Sequence, residues 1–310
     1  MFTRLLLSLS NTLGKSQASL ELKWMQDALR TRAVAESLED MVARRVHGEP
    51  LQYILGMSFV SSSIVSPVLL RRINVHFSIG TQPFGPLNLL TRPPVLIPRP
   101  ETEHWVIRLA ELLSPTAQKP ISLLDLGTGS GCIPLLLCKL WPPASLKAHG
   151  VDISPHALHL AQDNANLCGI SSRVDKVKNP HQNTFDFINA NFLTDDFLTN
   201  HSWLKPPFDV ITSNPPYISW KEYLDLSPSV SNFEDPKALF GGPDGLDFYR
   251  AIKYLVSREG LLTPTATVAL EVGHTQATVV ESMMRETGSF RSTEIWLDPW
   301  GKQRTVVARM

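Results

Sequence analysis

Two periodicities divide this chain. From about residue 17 to 48 apolar positions recur at helical spacing. Leu20, Trp24 and Ala28 lie four apart, and Leu38, Met41, Val42 and Val46 three to four apart. Gly48 and Pro50 stop the last of these helices. Residues 57–94 show no clear period. From residue 121 onward, short apolar runs alternate with helical segments. The runs predict strands over 121–126, 146–152, 185–190, 208–213 and 267–272. Helices are expected over 132–141, 155–167 and 247–258, with another ending at Glu286. Ser154-Pro155 supplies an N-cap with proline behind it. Alternation of this kind predicts an α/β fold with a mainly parallel, doubly wound sheet. Two final strands, 294–297 and 305–309, have no helix between them and predict an antiparallel hairpin at one edge.

Chemistry concentrates at the C-terminal ends of these strands, where open α/β sheets bind ligands. Leu124-Asp125-Leu126-Gly127-Thr128-Gly129-Ser130-Gly131 joins the first strand to the first helix. Its glycines let backbone approach a ligand closely, and the helix N-terminus adds partial positive charge. A dinucleotide fold would also place glycines here, so the loop alone is a modest signal. Asp125 stands two residues before the first glycine, where an acid can face the ammonium of S-adenosylmethionine directly or through water. Asp152 ends the second strand, where a carboxylate can accept from both ribose hydroxyls; a helix-capping or solvent-facing acid is the plainer alternative. Phe192, after the third strand, can pack on an adenine face or fill the core. Together these features resemble the cofactor site of class I S-adenosylmethionine-dependent methyltransferases, with a Rossmann-like sheet.

The fourth strand ends in Asn214-Pro215-Pro216-Tyr217. Two prolines have fixed φ and no N–H, so this tip is stiff and presents carbonyl oxygens without competing donors. Asn214 adds an amide oxygen, and Tyr217 can wall one side of a flat guest. The tip suits a planar group bearing NH2. Asn214 Oδ1 and the Pro215 carbonyl would accept both N–H bonds, orient the nitrogen for in-line attack and stabilise its developing charge. Adenine-N6, guanine-N2 and glutamine-N5 acceptors all fit this chemistry.

Composition narrows the field. The chain is 43% hydrophobic and 19% charged with zero formal net charge, which argues against broad electrostatic binding to nucleic acid. Cys132, Cys138 and Cys168 have no metal-ligand spacing and read as buried free thiols, so no metal is expected. No apolar run reaches the length of a membrane span. Residues 1–20 carry Arg4, Lys15, several Ser and Thr and no acid, as in a weak mitochondrial presequence or simply a first amphipathic helix.

Further segments resemble one family closely, the release-factor glutamine N5-methyltransferases known as PrmC or HemK. They are His47–Gly56, Val95–Glu103 with its Pro98-Arg99-Pro100-Glu101-Thr102-Glu103, Leu124–Gly131, Asp209–Ser219, Ala238–Arg250 and Leu270–Gln276. The resemblance implies methyl transfer from S-adenosylmethionine to the Gln side chain of the Gly-Gly-Gln loop in class 1 peptide-chain release factors. It implies cofactor contacts from Asp125, Gly127, Thr128, Gly129, Ser130, Gly131, Asp152, Phe192 and Asn214. Asn214, Pro215, Pro216 and Tyr217 would form the acceptor pocket, with Asn214, Pro215 and Tyr217 catalytic. Phe192 stands where the family leads one to expect Trp. Arg99, Glu101 and Glu103 would sit in a linker closing over the site or forming interdomain salt bridges. The implied organisation is a possible targeting segment over 1–16, a helical release-factor-binding domain over 17–56, a linker over 57–94 and a methyltransferase domain over 95–310. Members with the helical domain occur in bacteria and organelles, whereas cytosolic eukaryotic relatives lack it; with the acid-free start this favours the mitochondrial matrix, with the cytoplasm as alternative. A monomer is expected.

Residues 57–80 interrupt the resemblance. Removing them joins Tyr53-Ile54-Leu55-Gly56 to Thr81-Gln82-Pro83-Phe84, and the bounding Gly56 and Gly80 permit an intron that splices to a single Gly codon. A retained intron and a genuine lineage-specific loop both account for the segment. The main rival function is a nucleic-acid amino methyltransferase acting on a flipped base, which predicts a basic face. A non-catalytic subunit would be expected to have lost one of the two loops, and nothing resembles a hydride-transfer site.

Overall fold

Residues 2–30, 36–55, 81–170, 181–200 and 204–310 are described by the computed structural model, and the atypical segment 57–80 lies outside them. The chain divides into two units, Met1–Pro83 with Asn88–Pro93 and Ser227–Phe233, and Phe84–Leu87 with Pro94–Leu226 and Glu234–Met310. No helix among the described residues is long and apolar enough to cross a membrane.

The first unit is built on α1 (Phe2–Leu13), α2 (Lys15–Arg30), α3 (Leu38–Val46) and α4 (Leu51–Leu55). Gly14, at φ 80°, allows the tight turn from α1 into α2. Ser37 caps α3, its side chain accepting from Asp40 N at 3.2 Å. Leu9, Ala18, Leu22, Met25, Met41, Val42 and Ile54 meet in the core. Residues 1–16, read from sequence as a possible targeting segment, thus contain a helix whose Leu9 is wholly buried here.

The stripe predicted for α2 holds at Ala28, which is buried, and at Trp24, which packs partly buried against the core, but not at Leu20. Leu20 is 42% exposed, while Ala18, Leu22, Met25 and Ala28 face inward. The disguise is Glu21, which shares the inward stripe at 3% exposure because its carboxylate pairs with Arg45 Nε at 2.7 Å. A paired charge can be buried where an unpaired one cannot.

Strands β1 (Thr81–Phe84) and β2 (Leu87–Leu90) form a hairpin within a stretch that looked patternless in sequence. Next comes α5 (Pro100–Leu112), which corrects the reading of Glu101 and Glu103 as linker residues: both lie in its first turn. Pro100 sits at the helix start, where its missing N–H costs nothing.

Seven strands build the main sheet: β3 (Ile121–Leu126), β4 (Leu146–Asp152), β5 (Thr184–Asn189), β6 (Phe208–Ser213), β7 (Leu262–Glu271), β8 (Ser292–Leu297) and β9 (Gln303–Arg309). Their order is β5-β4-β3-β6-β7-β9-β8, parallel except at β9, which runs antiparallel to both neighbours. The expected terminal hairpin is therefore present. Strand β7 starts five residues earlier than its apolar pattern, because Pro264 hides the continuation and an irregularity between Phe208 and Val210 accommodates it.

Helices α6 (Cys132–Leu140), α7 (Pro155–Leu167), α12 (Asp247–Val256) and α13 (Ala277–Arg285) follow the alternation read from sequence, and the short α8 (Phe197–Asn200), α9 (Trp220–Leu224), α10 (Pro228–Ser231) and α11 (Pro236–Leu239) do not. All three cysteines are free; Cys138 is buried, while Cys132 and Cys168 are half-buried rather than buried as expected.

The assignment of faces in the helical unit is checked by two truncations. Leu9→Ala is expected to cost about 2–5 kcal/mol in denaturant unfolding of the full chain. Leu20→Ala is expected to change it by no more than about 0.5 kcal/mol.

Candidate active site

The order β4-β3-β6 places the reversal of strand order between β3 and β6. Their register pairs Leu126 with Ser213, and Ser213 Oγ donates to Leu126 O at 2.7 Å. The loops that follow these residues, the glycine loop and Asn214–Tyr217, therefore leave the sheet side by side. This is the crevice where doubly wound sheets receive ligands.

Gly127, Gly129 and Gly131 all have positive φ, at 70°, 55° and 78°. Gly127 N and Thr128 N donate to Val151 O at 2.8 and 2.9 Å, which bends the loop back over β4. Around Gly129 there is open space, but a Cβ on Gly131 would lie 2.9 Å from the Phe185 ring. Gly131 thus serves helix packing, while Gly127 and Gly129 line the crevice. Asp152 Oδ2 accepts from Gly129 N and Oδ1 from Ser154 N, each at 2.9 Å. Both carboxylate oxygens keep a further lone pair. Burial pushes the Asp152 carboxyl upward, against the pull of these backbone donors.

Asp125 is wholly buried. Its Oδ1 accepts from Thr212 Oγ1 at 2.7 Å, while Oδ2 makes no hydrogen bond among the described residues. Burial lifts this carboxyl to about 7, against the opposing pull of the neighbouring Thr128 and Thr212 hydroxyls. An orphaned, reluctantly ionised carboxylate beneath a glycine loop fits a site awaiting a cation.

The Asn214 loop is held from two sides. On one, Asn214 Nδ2 donates to Thr102 Oγ1 at 3.2 Å. On the other, Gln276 Nε2 donates to Tyr217 O at 2.9 Å and to Gly245 O at 3.2 Å, and Gln276 Oε1 accepts from Gly273 N at 3.1 Å. Residues 239–245 then clasp the loop along its length. Ile218 N donates to Leu239 O at 3.0 Å and Gly241 N to Ile218 O at 2.9 Å. Gly241 can be only glycine in this contact, since a Cβ would lie 2.6 Å from Pro216 O. Burial pushes the Tyr217 phenol up to about 12, so it stays protonated near neutrality.

A cavity of about 470 Å3 opens between the two loops. Gly127, Gly129, Asp152, Phe192, Asn214 and Pro216 line it. Such a volume suits a ligand of cofactor size. Phe192 packs against Phe248 with ring centroids 5.9 Å apart. The facing wall joins residues 94–96 to 235–238 through Asp235 N donating to Pro94 O at 2.8 Å. Arg99 fixes that wall by an ion pair with the buried Glu234 at 2.7 Å. Both partners belong to the same unit, which corrects the interdomain pairing expected for Arg99. Asp125, Thr128, Ser130, Gly131, Pro215 and Tyr217 do not line this cavity; Tyr217 borders a smaller recess of about 210 Å3 beside Gly273, Gln276 and Arg304. No metal-ligating cluster occurs among the described residues.

Sequence reasoning gave no role to Thr102, Glu271, Gln276 or Gly241, although each lies in a segment singled out for its resemblance. Glu271 carries a readable signal. It is a lone acid closing the apolar run Val268-Ala269-Leu270, as Asp152 closes its strand.

The clasp on the Asn214 loop is checked by hydrogen exchange. Gln276→Ala leaves the Tyr217 and Gly245 carbonyls unpaired, which costs about 1–3 kcal/mol. Amide exchange at Ile218 and Gly241 is expected to accelerate by about 5- to 150-fold, with β3 and β4 unchanged.

A family model described as PrmC N-terminal domain matches residues 4–56, and one described as Ribosomal protein L11 methyltransferase (PrmA) matches residues 104–200. The release factor glutamine methyltransferase of Moorella thermoacetica is 33% identical over 303 residues, covering 94% of this chain and 90% of its own. That of Geobacter sulfurreducens is 36% identical over 274 residues, covering 87% and 76%. Among solved structures, the release-factor-specific protein-(glutamine-N5) methyltransferase of Alicyclobacillus acidocaldarius is 27% identical, covers 71% of this chain and 97% of its own, and has a TM-score of 0.40. With relatives above 30% identity along most of its length, the chain belongs to the release factor glutamine methyltransferase family.

Proposed function

We propose that this protein methylates the side-chain nitrogen of the Gln in the Gly-Gly-Gln loop of a class 1 release factor. The observation that carries this reading is the stiff Asn214 loop set across one cavity from the glycine loop and Asp152. S-adenosylmethionine, when bound, supplies an electrophilic methyl group on a sulfonium. Gly127 and Gly129 bring backbone to it, and Asp152 accepts from the ribose hydroxyls through its free lone pairs while its present bonds hold the loop in place. Asp125, buried beneath the glycine loop and outside the cavity lining, would meet the ammonium with its orphaned oxygen through water. Phe192, which lines the cavity, would pack on the adenine.

Asn214, which lines the cavity, would accept through Oδ1 from the acceptor amide, turn its nitrogen toward the methyl and stabilise the charge that develops there; the Pro215 carbonyl, read from sequence as the second acceptor, does not line it. An amide nitrogen is a poor nucleophile, so positioning supplies most of the acceleration. Tyr217 is not the base, since its phenol holds its proton; the amide proton leaves to solvent after transfer. Zero net charge weighs against a nucleic-acid acceptor.

Incubation with labelled cofactor and a release factor should label the wild-type factor and spare one whose Gly-Gly-Gln glutamine is substituted. Label persisting on the substituted factor, or appearing on DNA or RNA instead, overturns the reading. Asn214→Ala is expected to lower turnover by about 100-fold or more, with calorimetric cofactor affinity largely kept.

Asp125 gives a pH dependence with a fixed sign. Its carboxyl must ionise to meet the ammonium, and it does so near 7 in the free enzyme. The ratio of wild-type to Asp125→Asn cofactor affinity is expected to rise roughly tenfold per pH unit below 7 and to level off above it. Titration calorimetry from pH 5 to 9 reads this ratio, and a flat ratio removes Asp125 from the site.

A further inference from the structure

The amide of Asn214 can present either its oxygen or its NH2 group to the cavity, and only the oxygen can accept from a substrate amide. What decides between them lies behind Asn214. Glu271 ends β7 in the register position after Leu270, which pairs with Ser213. It is 1% exposed. Two donors converge on its Oε2: Trp105 Nε1 at 2.9 Å and Thr102 Oγ1 at 2.6 Å. The indole nitrogen can only donate, and 2.6 Å falls in the range of a hydroxyl bonded to a carboxylate. The single proton of Thr102 is therefore spent on Glu271. Thr102 Oγ1 has lone pairs alone to offer Asn214, 3.2 Å away, and only the NH2 end can satisfy them.

We infer that Thr102 and Glu271 form a polarity relay, in which the Glu271 carboxylate fixes the Thr102 hydroxyl and Thr102 fixes the Asn214 amide with Oδ1 toward the acceptor. Thr102 and Glu271 are positioning residues that touch neither substrate nor cofactor. The relay rests on the proposed role of Asn214 and adds a specificity to it. A site whose fixed end is an acceptor admits Gln, which carries NH2, and rejects Glu, which brings only acceptor oxygens to it. The acidic partner is oriented in turn by Trp105, one helical turn along the same face of α5 as Thr102. Burial raises the Glu271 carboxyl, while the Thr102 and Trp105 donors and the Arg304 charge pull the other way.

The test replaces Thr102 in the full chain and measures three quantities with a release factor as acceptor. They are kcat, cofactor affinity, and the inhibition constant of a release factor whose acceptor Gln is changed to Glu. Thr102→Val keeps the shape and loses the lone pairs, freeing the amide to turn over. It is expected to lower kcat about 10- to 100-fold, to leave cofactor affinity within about threefold, and to bind the Glu-bearing factor more tightly than wild type does. Thr102→Ser restores the hydroxyl and should recover most of the lost kcat and the weak binding of the Glu-bearing factor. Should Thr102→Val not fold, Thr102→Ala enters the same assays with the same expected losses.

Thr102→Ser failing like Thr102→Val means the site needs the methyl group for packing, and the relay is wrong. Thr102→Val with unchanged kcat and unchanged discrimination, beside an inactive Asn214→Ala, removes the relay and leaves the proposed function standing. An Asn214→Ala enzyme with wild-type turnover defeats the role of Asn214 and the relay together.

Discussion

The parallel pairing of β3 with β6 is the constraint on which the rest of the structure depends. Because Leu126 and Ser213 are opposite each other, the next residues of both strands emerge at neighbouring points on one sheet edge. Adjacent strands lie only about 4.8 Å apart, so two loops separated by more than 80 residues in sequence meet without long-range adjustment. The same register sets Asp125 beside Thr212 and brings Leu270, and hence Glu271, alongside Ser213. Three strand ends thus deliver a buried acid, a stiff amide-bearing tip and a second buried acid to one crevice.

Buried charge is handled in two ways there. Glu271 accepts from both Trp105 and Thr102 on Oε2, so its charge holds geometry. Asp125 has one satisfied and one orphaned oxygen, so its charge is held in reserve and its ionisation is delayed to about 7. Arg99 and Glu234 belong with the first kind: a buried carboxylate whose two oxygens both accept from Arg99 Nη2 pins the wall opposite the loops. A site that reorganised on each turnover would lose the pre-set dipoles that an unreactive amide acceptor requires. Rigid support from Gln276 and the Gly241 contact serves the same end.

Much of this was legible in the sequence. Period and alternation fixed the starts of the sheet strands of the second unit to within two residues, except at β7, which begins five residues earlier across Pro264. The glycine loop, Asp152 and Asn214 were readable because strand ends are where such sheets bind, and these residue types are unusual there. The supporting layer was not readable. Thr102 and Glu271 lie 169 positions apart, and no local pattern says that they touch. Gln276 looks like an ordinary helix-start residue until its side chain is seen across two carbonyls. In the helical unit the ion pair of Glu21 with Arg45 let a charge share the buried stripe of α2, so hydropathy found Trp24 and Ala28 but misplaced Leu20.

The central claim is that the crevice orients a protein glutamine for methylation on its side-chain nitrogen. Tandem mass spectrometry of a release factor incubated with this enzyme and S-adenosylmethionine tests it most directly. The account predicts one added methyl group, placed by fragment ions on the Gln of the Gly-Gly-Gln loop. A methyl group on any other residue, or an unmodified factor beside an enzyme that binds the cofactor, would contradict it.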